Sequence, residues 1–325
     1  MEVSCNFVAN RTEVHAVLLD ATKAFDRVEY TLLFNRLLDK GMNSLYVRCL
    51  LYMYQNQCLR IKWNKVFSNE FKITNGVKQG GVLSPLLFGI YVDHLIERLR
   101  ESGLGCTVGP HFAGCVVYAD DIVLLSPTIT GMEEMLKISL DFSEKFHMKF
   151  NASKSQYIIF SPKGNSRKTN GIFVGNRLIH SQSKVTHLGH IIYADLNSCD
   201  LEGVTGAFYK QFNLFMRKFG HVPSAIKAKL FNTHCTSFYG ASLIPLAKVG
   251  KLQVLYRKAL RQVFGLSYRT HCKILSCMPY CSCHEHMFLQ KFAKFAASAL
   301  QHEYAFVGHI FHRATSHKYS TLDTY

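Results

Sequence analysis

The sequence predicts an α+β protein, with strands and helices interleaved in its first part and helices alone after about Asp200. Three observations carry that class. Val14–Leu19 and the two runs flanking Tyr118-Ala119-Asp120-Asp121 are apolar, rich in β-branched residues and strand-length. Leu32, Leu33, Leu37 and Leu38, then Leu86 to Leu99, carry helical spacing. Beyond Asp200, basic and aromatic residues interleave at helical intervals. At 325 residues and 48% hydrophobic content the chain can bury more than one core, and the texture suggests parts at 1–195, 196–270 and 271–325.

The formal net charge of +16 points to a polyanionic partner, of which nucleic acid is the commonest. Lys and Arg are dense from Lys145 to Lys184 and from Lys210 to Arg269, spread over segments expected to fold rather than gathered in a tail. Glu2, Arg11, Glu13 and Asp20 break any apolar signal core, and no stretch approaches the roughly 18 apolar residues of a membrane span. The expectation is an intracellular protein, nuclear or cytoplasmic, with no membrane partner and its 11 cysteines reduced.

In chain order, Val14–Asp20 reads as a buried strand ending on a carboxylate, with a helix through Leu38 to follow. Asp is also a good helix cap, which is the plainer reading of Asp20. Tyr46–Ile73 reads as a helix and two short strands around Cys58–Lys62 and Phe71–Ile73. They are joined through Lys62-Trp63-Asn64-Lys65, which carries the only tryptophan. That basic connection suits either a nucleic-acid backbone or an exposed turn beside a core Trp. Gly76-Val77-Lys78-Gln79-Gly80-Gly81 is a glycine-rich turn, where main-chain amides can approach a ligand and Gln79 offers both a donor and an acceptor.

Tyr118-Ala119-Asp120-Asp121 reads as the turn of a β-hairpin. Asp is common in turns for local reasons. Two carboxylates beside apolar strands nevertheless repel each other and are costly to desolvate, and a divalent cation relieves both. Asp20 with Asp120 and Asp121 makes three carboxylates on two strand ends. That set fits two-metal phosphoryl transfer, with cations about 3.5–4 Å apart. Asp20 and Asp120 would bridge the ions, Asp121 would complete the shell, and the Ala21 carbonyl is a further oxygen ligand for a hard cation.

Met132 to Met148 has the pattern of an amphipathic helix. Phe150-Asn151-Ala152-Ser153-Lys154-Ser155 then leads into the strand Gln156–Phe160, Ser161–Asn170 is an aperiodic loop, and Ile172–Ile179 is a hairpin turning at Gly175-Asn176. Thr186–Ile192 reads as a strand containing Gly189. The basic face from Lys210 to Arg261 suits phosphate contact without sequence readout, with the aromatics as helix core. His271, Cys272, Cys277, Cys281, Cys283, His284 and His286 suggest either a zinc site of irregular spacing or a run of reduced thiols.

Three motifs in order, Asp20-x-x-x-Ala24-Phe25-Asp26, Gln79-Gly80-Gly81-Val82-Leu83-Ser84-Pro85 and Tyr118-Ala119-Asp120-Asp121, resemble those of reverse transcriptases, in detail those of non-LTR (long interspersed element) retrotransposons. The likeness runs from about Val14 to Tyr193 and more weakly to Cys272. It implies a right-hand polymerase palm, an antiparallel sheet backed by helices, followed by a helical thumb at 196–270 and a helical extension at 271–325. The implied activity is RNA-directed DNA synthesis with two Mg²⁺ ions, Mn²⁺ being a substitute, on an RNA template, a DNA primer and deoxynucleoside triphosphates. The implied roles are metal binding for Asp20, Asp120 and Asp121, and sugar selection for Phe25. Nucleotide and template contact falls to Ala21, Gln79, Gly80 and Tyr118, leaving-group assistance to Lys154, and the primer grip to Leu188 and Gly189. Only residues 1–13 precede the first acidic strand, so truncated fingers and no endonuclease domain are expected. The alternative is an inactive retroelement remnant that binds nucleic acid through the basic thumb.

Overall fold

The computed structural model describes residues 1–162, 171–196, 198–240, 244, 246–278, 284–302, 307–308 and 310, with backbone only at 246–247 and 284–287. By contacts the chain forms two compact units. One is Glu13–Ile159 with Lys163–Gln182; the other is Met1–Thr12, Phe160–Pro162 and Ser183–Tyr325. The longest stretch of the second unit starts at Ser183, where the chain pairs with itself as a hairpin.

The chain begins with α1 (Glu2–Ala9), which belongs to the second unit. The first unit opens on β1 (Val14–Asp20), buried along nearly its whole length, which explains why His15 alone interrupts its apolar run before Asp20. A short 3₁₀ turn (Phe25–Arg27), α2 (Tyr30–Asp39) and α3 (Ser44–Gln55) follow. Asn43 caps α3, its side chain accepting from the Leu45 amide at 2.9 Å. Where two short strands were expected there are four: β2 (Cys58–Leu59) pairs with β5 (Phe71–Lys72), and β3 (Lys62–Trp63) with β4 (Val66–Phe67). The connection carrying Trp63 is itself a ladder, closed at Asn64, whose φ of 54° is one that Asn tolerates.

Next come α4 (Ser84–Glu101), the hairpin β6 (Thr107–Val108) with β7 (His111–Phe112), β8 (Cys115–Tyr118), β9 (Asp121–Ser126) and α5 (Ile129–Lys145). α5 starts three residues before the expected Met132 because Thr128 caps it, accepting from the Gly131 amide at 3.1 Å. β10 (Gln156–Phe160), the expected hairpin β11 (Ile172–Val174) with β12 (Arg177–Ile179), and β13 (Ser181–Gln182) close the unit. One five-stranded sheet runs in the order β13-β10-β1-β9-β8.

Its central pair is antiparallel, from His15 opposite Ser126 to Asp20 opposite Asp121. Val17 faces Leu124 and Leu19 faces Ile122, and all four are buried in one core with Leu33 and Leu37 of α2, Tyr91 and Leu95 of α4, and Met135 and Phe142 of α5. Side chains alternate along a strand, so the other face carries Leu18 and Val123, then Asp20 and Asp121. Ion pairs reinforce the helical layer: Arg36 of α2 meets Glu97 of α4, and Arg98 of α4 meets Asp141 of α5 at 2.6 Å. Inside the sheet, His15 Nδ1 and Tyr157 Oη share a 2.7 Å hydrogen bond, and burial pushes the His15 imidazole below its ordinary pKa.

In the second unit, β14 (Lys184–His187) and β15 (His190–Tyr193) form a hairpin, so Thr186–Ile192 is not the single strand expected. Leu188 and Gly189 both have positive φ, 48° and 77°, which turns the chain there. The helices are α6 (Leu201–Phe219), α7 (Ser224–Cys235), α8 (Leu246–Phe264), α9 (Cys272–Ser276) and α10 (His284–Leu300). As expected, their aromatics form the core: Phe208, Phe212, Phe231 and Tyr256 are buried together. Lys210, Arg217, Lys218, Lys229 and Lys258 stay exposed. No helix among the described residues is long and apolar enough to cross a membrane.

Gly76 is a conformational constraint of the first unit. Its φ is +90°, and a Cβ there would lie 2.9 Å from the main-chain oxygen of Asp26. Gly41 shares the positive φ, +82°, but has open space around it. Gly76→Ala is therefore expected to lower the unfolding free energy by about 2–4 kcal/mol, backbone strain plus overpacking, and Gly41→Ala by only about 1 kcal/mol. Urea denaturation midpoints measure the difference.

Candidate active site

The site is built where β1, β9 and β8 end together. Tyr118 is the register partner of Asp121, which is in turn the partner of Asp20. Directly paired residues share a sheet face, so Tyr118, Asp121 and Asp20 form a row across three strands on the face opposite the helical core. The row is accessible: Asp20 and Asp121 are half-buried and Tyr118 is exposed. Ala119 and Asp120 make the two-residue turn between β8 and β9, and both are exposed. Ala119 has φ +52°, a left-handed conformation uncommon for a residue with a Cβ. That strain sits at the tip of the acidic hairpin, as strained backbone often does at functional positions.

Asp20 is held by its main chain. Its amide donates to Ser155 Oγ at 3.3 Å, and its carbonyl accepts from the Asn151 amide at 2.8 Å. Both main-chain groups therefore point toward the Asn151–Ser155 turn and away from Asp121. The Asp20–Asp121 pair is thus of the non-hydrogen-bonded kind, in which Cα atoms approach to about 4.5 Å and side chains are closest. The next residues continue the junction: Ala21 bridges to Phe150, and the Thr22 amide donates to the Lys149 carbonyl at 2.8 Å. The Asn151–Ser155 turn is itself self-bonded. Asn151 Oδ1 accepts from the Ser153 amide at 3.0 Å, and Ser155 Oγ donates to the Asn151 carbonyl at 3.0 Å. Lys154 is exposed on this turn, whose ends are bonded to Asp20.

A second junction joins the other predicted residues. The Val77 amide donates to the Phe25 carbonyl at 2.8 Å and the Gly76 amide to the Val28 carbonyl at 2.7 Å. This pins the glycine-rich turn to the segment after β1, which is why Gly76 has no room for a side chain. The Phe25 ring is half-buried and stacked on Phe88 of α4, centroids 4.6 Å apart. Gln79 and Gly80 are exposed two and three residues beyond the anchored Val77. A cleft of about 690 Å³ is lined by Asp26, Cys58, Phe71, Gly76, Lys78 and Gln79 among others. Leu188 and Gly189 form the tip of the hairpin in the second unit, where Tyr239 Oη donates to the Leu188 carbonyl at 3.2 Å.

Among the described residues no three His, Cys, Asp or Glu side chains are grouped as a metal-binding set. What is gathered is a facing pair of carboxylates, with a third acid in the adjoining turn. That donor set suits Mg²⁺, which is commonly bound by one or two carboxylates together with substrate phosphates. Of the cysteine and histidine cluster, Cys272 accepts from Arg257 Nη1 at 3.4 Å, which pulls its thiol below the ordinary pKa, and His271 caps α9 through Nδ1. Cys281 and Cys283, and the side chains of His284 and His286, lie outside the described residues.

Asn151 and Ser155 are positioning residues that the sequence reading passed over. Their visible signal is an Asn followed by Ser two and four residues on, a pattern that commonly folds into a side-chain-bonded turn.

Comparison with known proteins adds the following. The sequence profile described as "Reverse transcriptase (RNA-dependent DNA polymerase)" matches residues 4–192. A retrovirus-related Pol polyprotein from the type-1 retrotransposable element R2 of Nasonia vitripennis is 31% identical over 183 residues, 54% of this chain and 17% of that protein. The Pol polyprotein of the type-2 element R2DM of Drosophila melanogaster is 33% identical over 136 residues, 42% of this chain and 13% of that one. The chain therefore spans less than a fifth of the length of these curated relatives. Among solved structures, apo telomerase from Candida tropicalis aligns with a TM-score of 0.46 at 12% identity, covering 96% of this chain and 49% of that one.

Like charges directly opposite across a strand pair destabilise it, here on an accessible face. Asp20→Asn is expected to raise the unfolding free energy by about 0.2–1 kcal/mol in buffer free of divalent cations, a gain that shrinks as salt is added. Urea denaturation at two ionic strengths measures this.

Proposed function

This chain belongs to the reverse transcriptase (RNA-dependent DNA polymerase) family, and from that premise we propose that it carries out RNA-templated DNA synthesis for a non-LTR retrotransposon. The reaction is attack of a primer 3′-hydroxyl on the α-phosphorus of a deoxynucleoside triphosphate. A new P–O bond forms and pyrophosphate leaves. The observation that supports this most directly is the register that sets Asp20 opposite Asp121 on the sheet face turned away from the helical core.

In this reading Asp20, Asp120 and Asp121, with the Ala21 carbonyl, would hold the divalent cations. Two Mg²⁺ ions bound there would supply Lewis-acid activation of the hydroxyl and charge neutralisation on the leaving oxygen. The anchoring of Asp20 by Asn151 and Ser155 holds the main chain that carries one carboxylate, which limits the reorganisation needed when substrate arrives. Phe25, supported from behind by Phe88, presents an aromatic edge where a ribose 2′-hydroxyl would be left unsolvated. Gln79 and the Gly80 main chain orient nucleotide and template base, with Tyr118 beside them. Lys154 stabilises the departing pyrophosphate or donates a proton to it. The parts act as a palm built on the sheet and a helical thumb whose exposed Lys and Arg follow the duplex by phosphate contact. The turn at Leu188-Gly189 grips the primer. The second reading, a non-catalytic binder of nucleic acid, draws on the same charge of +16.

Extension of a DNA primer on an RNA template separates the two readings. Wild type is expected to extend in Mg²⁺ and to stop when the metal is chelated, and Asp120→Asn to lose at least about 100-fold in rate. Salt-sensitive binding with no extension would select the binder. In the same assay Phe25→Val is expected to lower the preference for deoxy- over ribonucleotides by about 10–100-fold. An unchanged ratio would remove Phe25 from sugar selection.

A further inference from the structure

The four short strands between α3 and the glycine-rich turn carry an apolar surface that no described residue covers. Trp63 is 78% exposed, Val66 72%, Ile61 61% and Phe67 58%. A Trp placed so is not the core residue of one sequence-based alternative. Accessible apolar groups in this concentration mark contact surfaces.

The charge pattern identifies what would lie there. Along Leu59-Arg60-Ile61-Lys62-Trp63 apolar and basic residues alternate, and Lys65 and Lys72 follow. The register places Trp63 beside Val66 on one face of its ladder and Lys62 beside Phe67 on the other, with Lys62 Nζ 5.4 Å from the Phe67 ring centroid. The segment holds one acid, Glu70, and it is paired with Arg60 at 2.9 Å. Lys62, Lys65 and Lys72 have no carboxylate within ion-pair distance among the described residues. Protein interfaces are depleted of lysine and enriched in aromatics that become fully buried, and three lysines with no carboxylate partner among the fifteen residues Cys58–Lys72 oppose that use. Single-stranded nucleic acid is bound by this mixture, aromatic faces under the bases and cations along the phosphates. The root of the same hairpin, Cys58, Leu59, Phe71 and Lys72, walls the 690 Å³ cleft that reaches Gln79.

We propose that the hairpin Cys58–Lys72 is a binding platform for single-stranded nucleic acid, with Trp63 stacked on an unpaired base and Lys62, Lys65 and Lys72 on its phosphates. The strand it holds is identified as template only through the polymerase reading. The binding itself does not depend on that reading.

Trp63 is the only tryptophan of the chain, so fluorescence excited at the red edge of Trp absorption reports on this hairpin alone. Titrating the full chain with an unlabelled single-stranded 20-mer is expected to quench that signal saturably, and more strongly than the matching duplex does. Raising salt should weaken the affinity, and Lys62→Ala with Lys65→Ala should flatten the log–log salt slope by about 1.4. Trp63→Ala, read by anisotropy of a labelled oligonucleotide, should lose roughly 5–150-fold in affinity while Trp63→Phe retains most of it. An unchanged melting temperature in both variants would exclude a folding effect. No quenching at saturation, equal affinity of Trp63→Ala and wild type, or a Trp blue shift that follows protein concentration without nucleic acid would each overturn the proposal, the last in favour of self-association. Quenching without primer extension would leave the platform standing and the polymerase reading refuted.

Discussion

The antiparallel register between Val14–Asp20 and Asp121–Ser126 governs the rest of the first unit. It turns Val17, Leu19, Ile122 and Leu124 toward the helices and Leu18, Val123, Asp20 and Asp121 the other way. A slip of one residue would exchange the two sets, putting carboxylates among Leu33, Tyr91 and Phe142 and apolar side chains on the accessible face. Burying two carboxylates without partners, even with both protonated, would cost a large part of a typical domain's net stability. Core packing and site geometry are therefore set by one choice of pairing. The acids stay where they are because the apolar side chains between them must be inside.

The pairing brings the carboxylates together but does not make them comfortable. They face each other at a narrow pair, beside a hairpin turn that asks Ala119 to adopt a left-handed backbone. The cost is offset by main-chain bonding around it. Asp20 is secured from behind by Asn151 and Ser155, and Val77 and Gly76 are tied to Phe25 and Val28. Apart from the Ser155 hydroxyl, both junctions use main-chain amides and carbonyls, so they do not depend on the side chains of the candidate site residues. Substitution of a site side chain can then change chemistry with little effect on the fold.

The two units divide the remaining tasks by surface. In the helical unit many of the aromatics are in the core, stacked as Phe208 on Phe212 and on Phe238, while Lys210, Arg217, Lys218, Lys229 and Lys258 are exposed. In the hairpin after α3 the reverse holds, with aromatics outside and lysines between them. The first surface suits a regular polyanion seen from its backbone, the second a strand whose bases are free.

Much of this was legible in the residues. The runs around Tyr118–Asp121 had to be strands with acid at their turn, α4 was visible in its apolar spacing, and the three motifs in order named the family that the profile match confirms. Strand and helix periods are local properties and survive in the sequence. Other features did not. The Leu188–Gly189 turn looked like strand because only its backbone angles distinguish the two, and the ladder holding Trp63 was too short for alternation to declare it. Sequence alone determined the family, and it marked out the candidate site residues, three of them acids. Only the tertiary structure decided that Asp20 meets Asp121 on the accessible face, that Asn151 and Ser155 hold it there, and that Gly76 must lack a side chain. Those are contacts between segments dozens of residues apart or more, and each depends on cross-strand register or the close approach of two main chains, which no local pattern encodes.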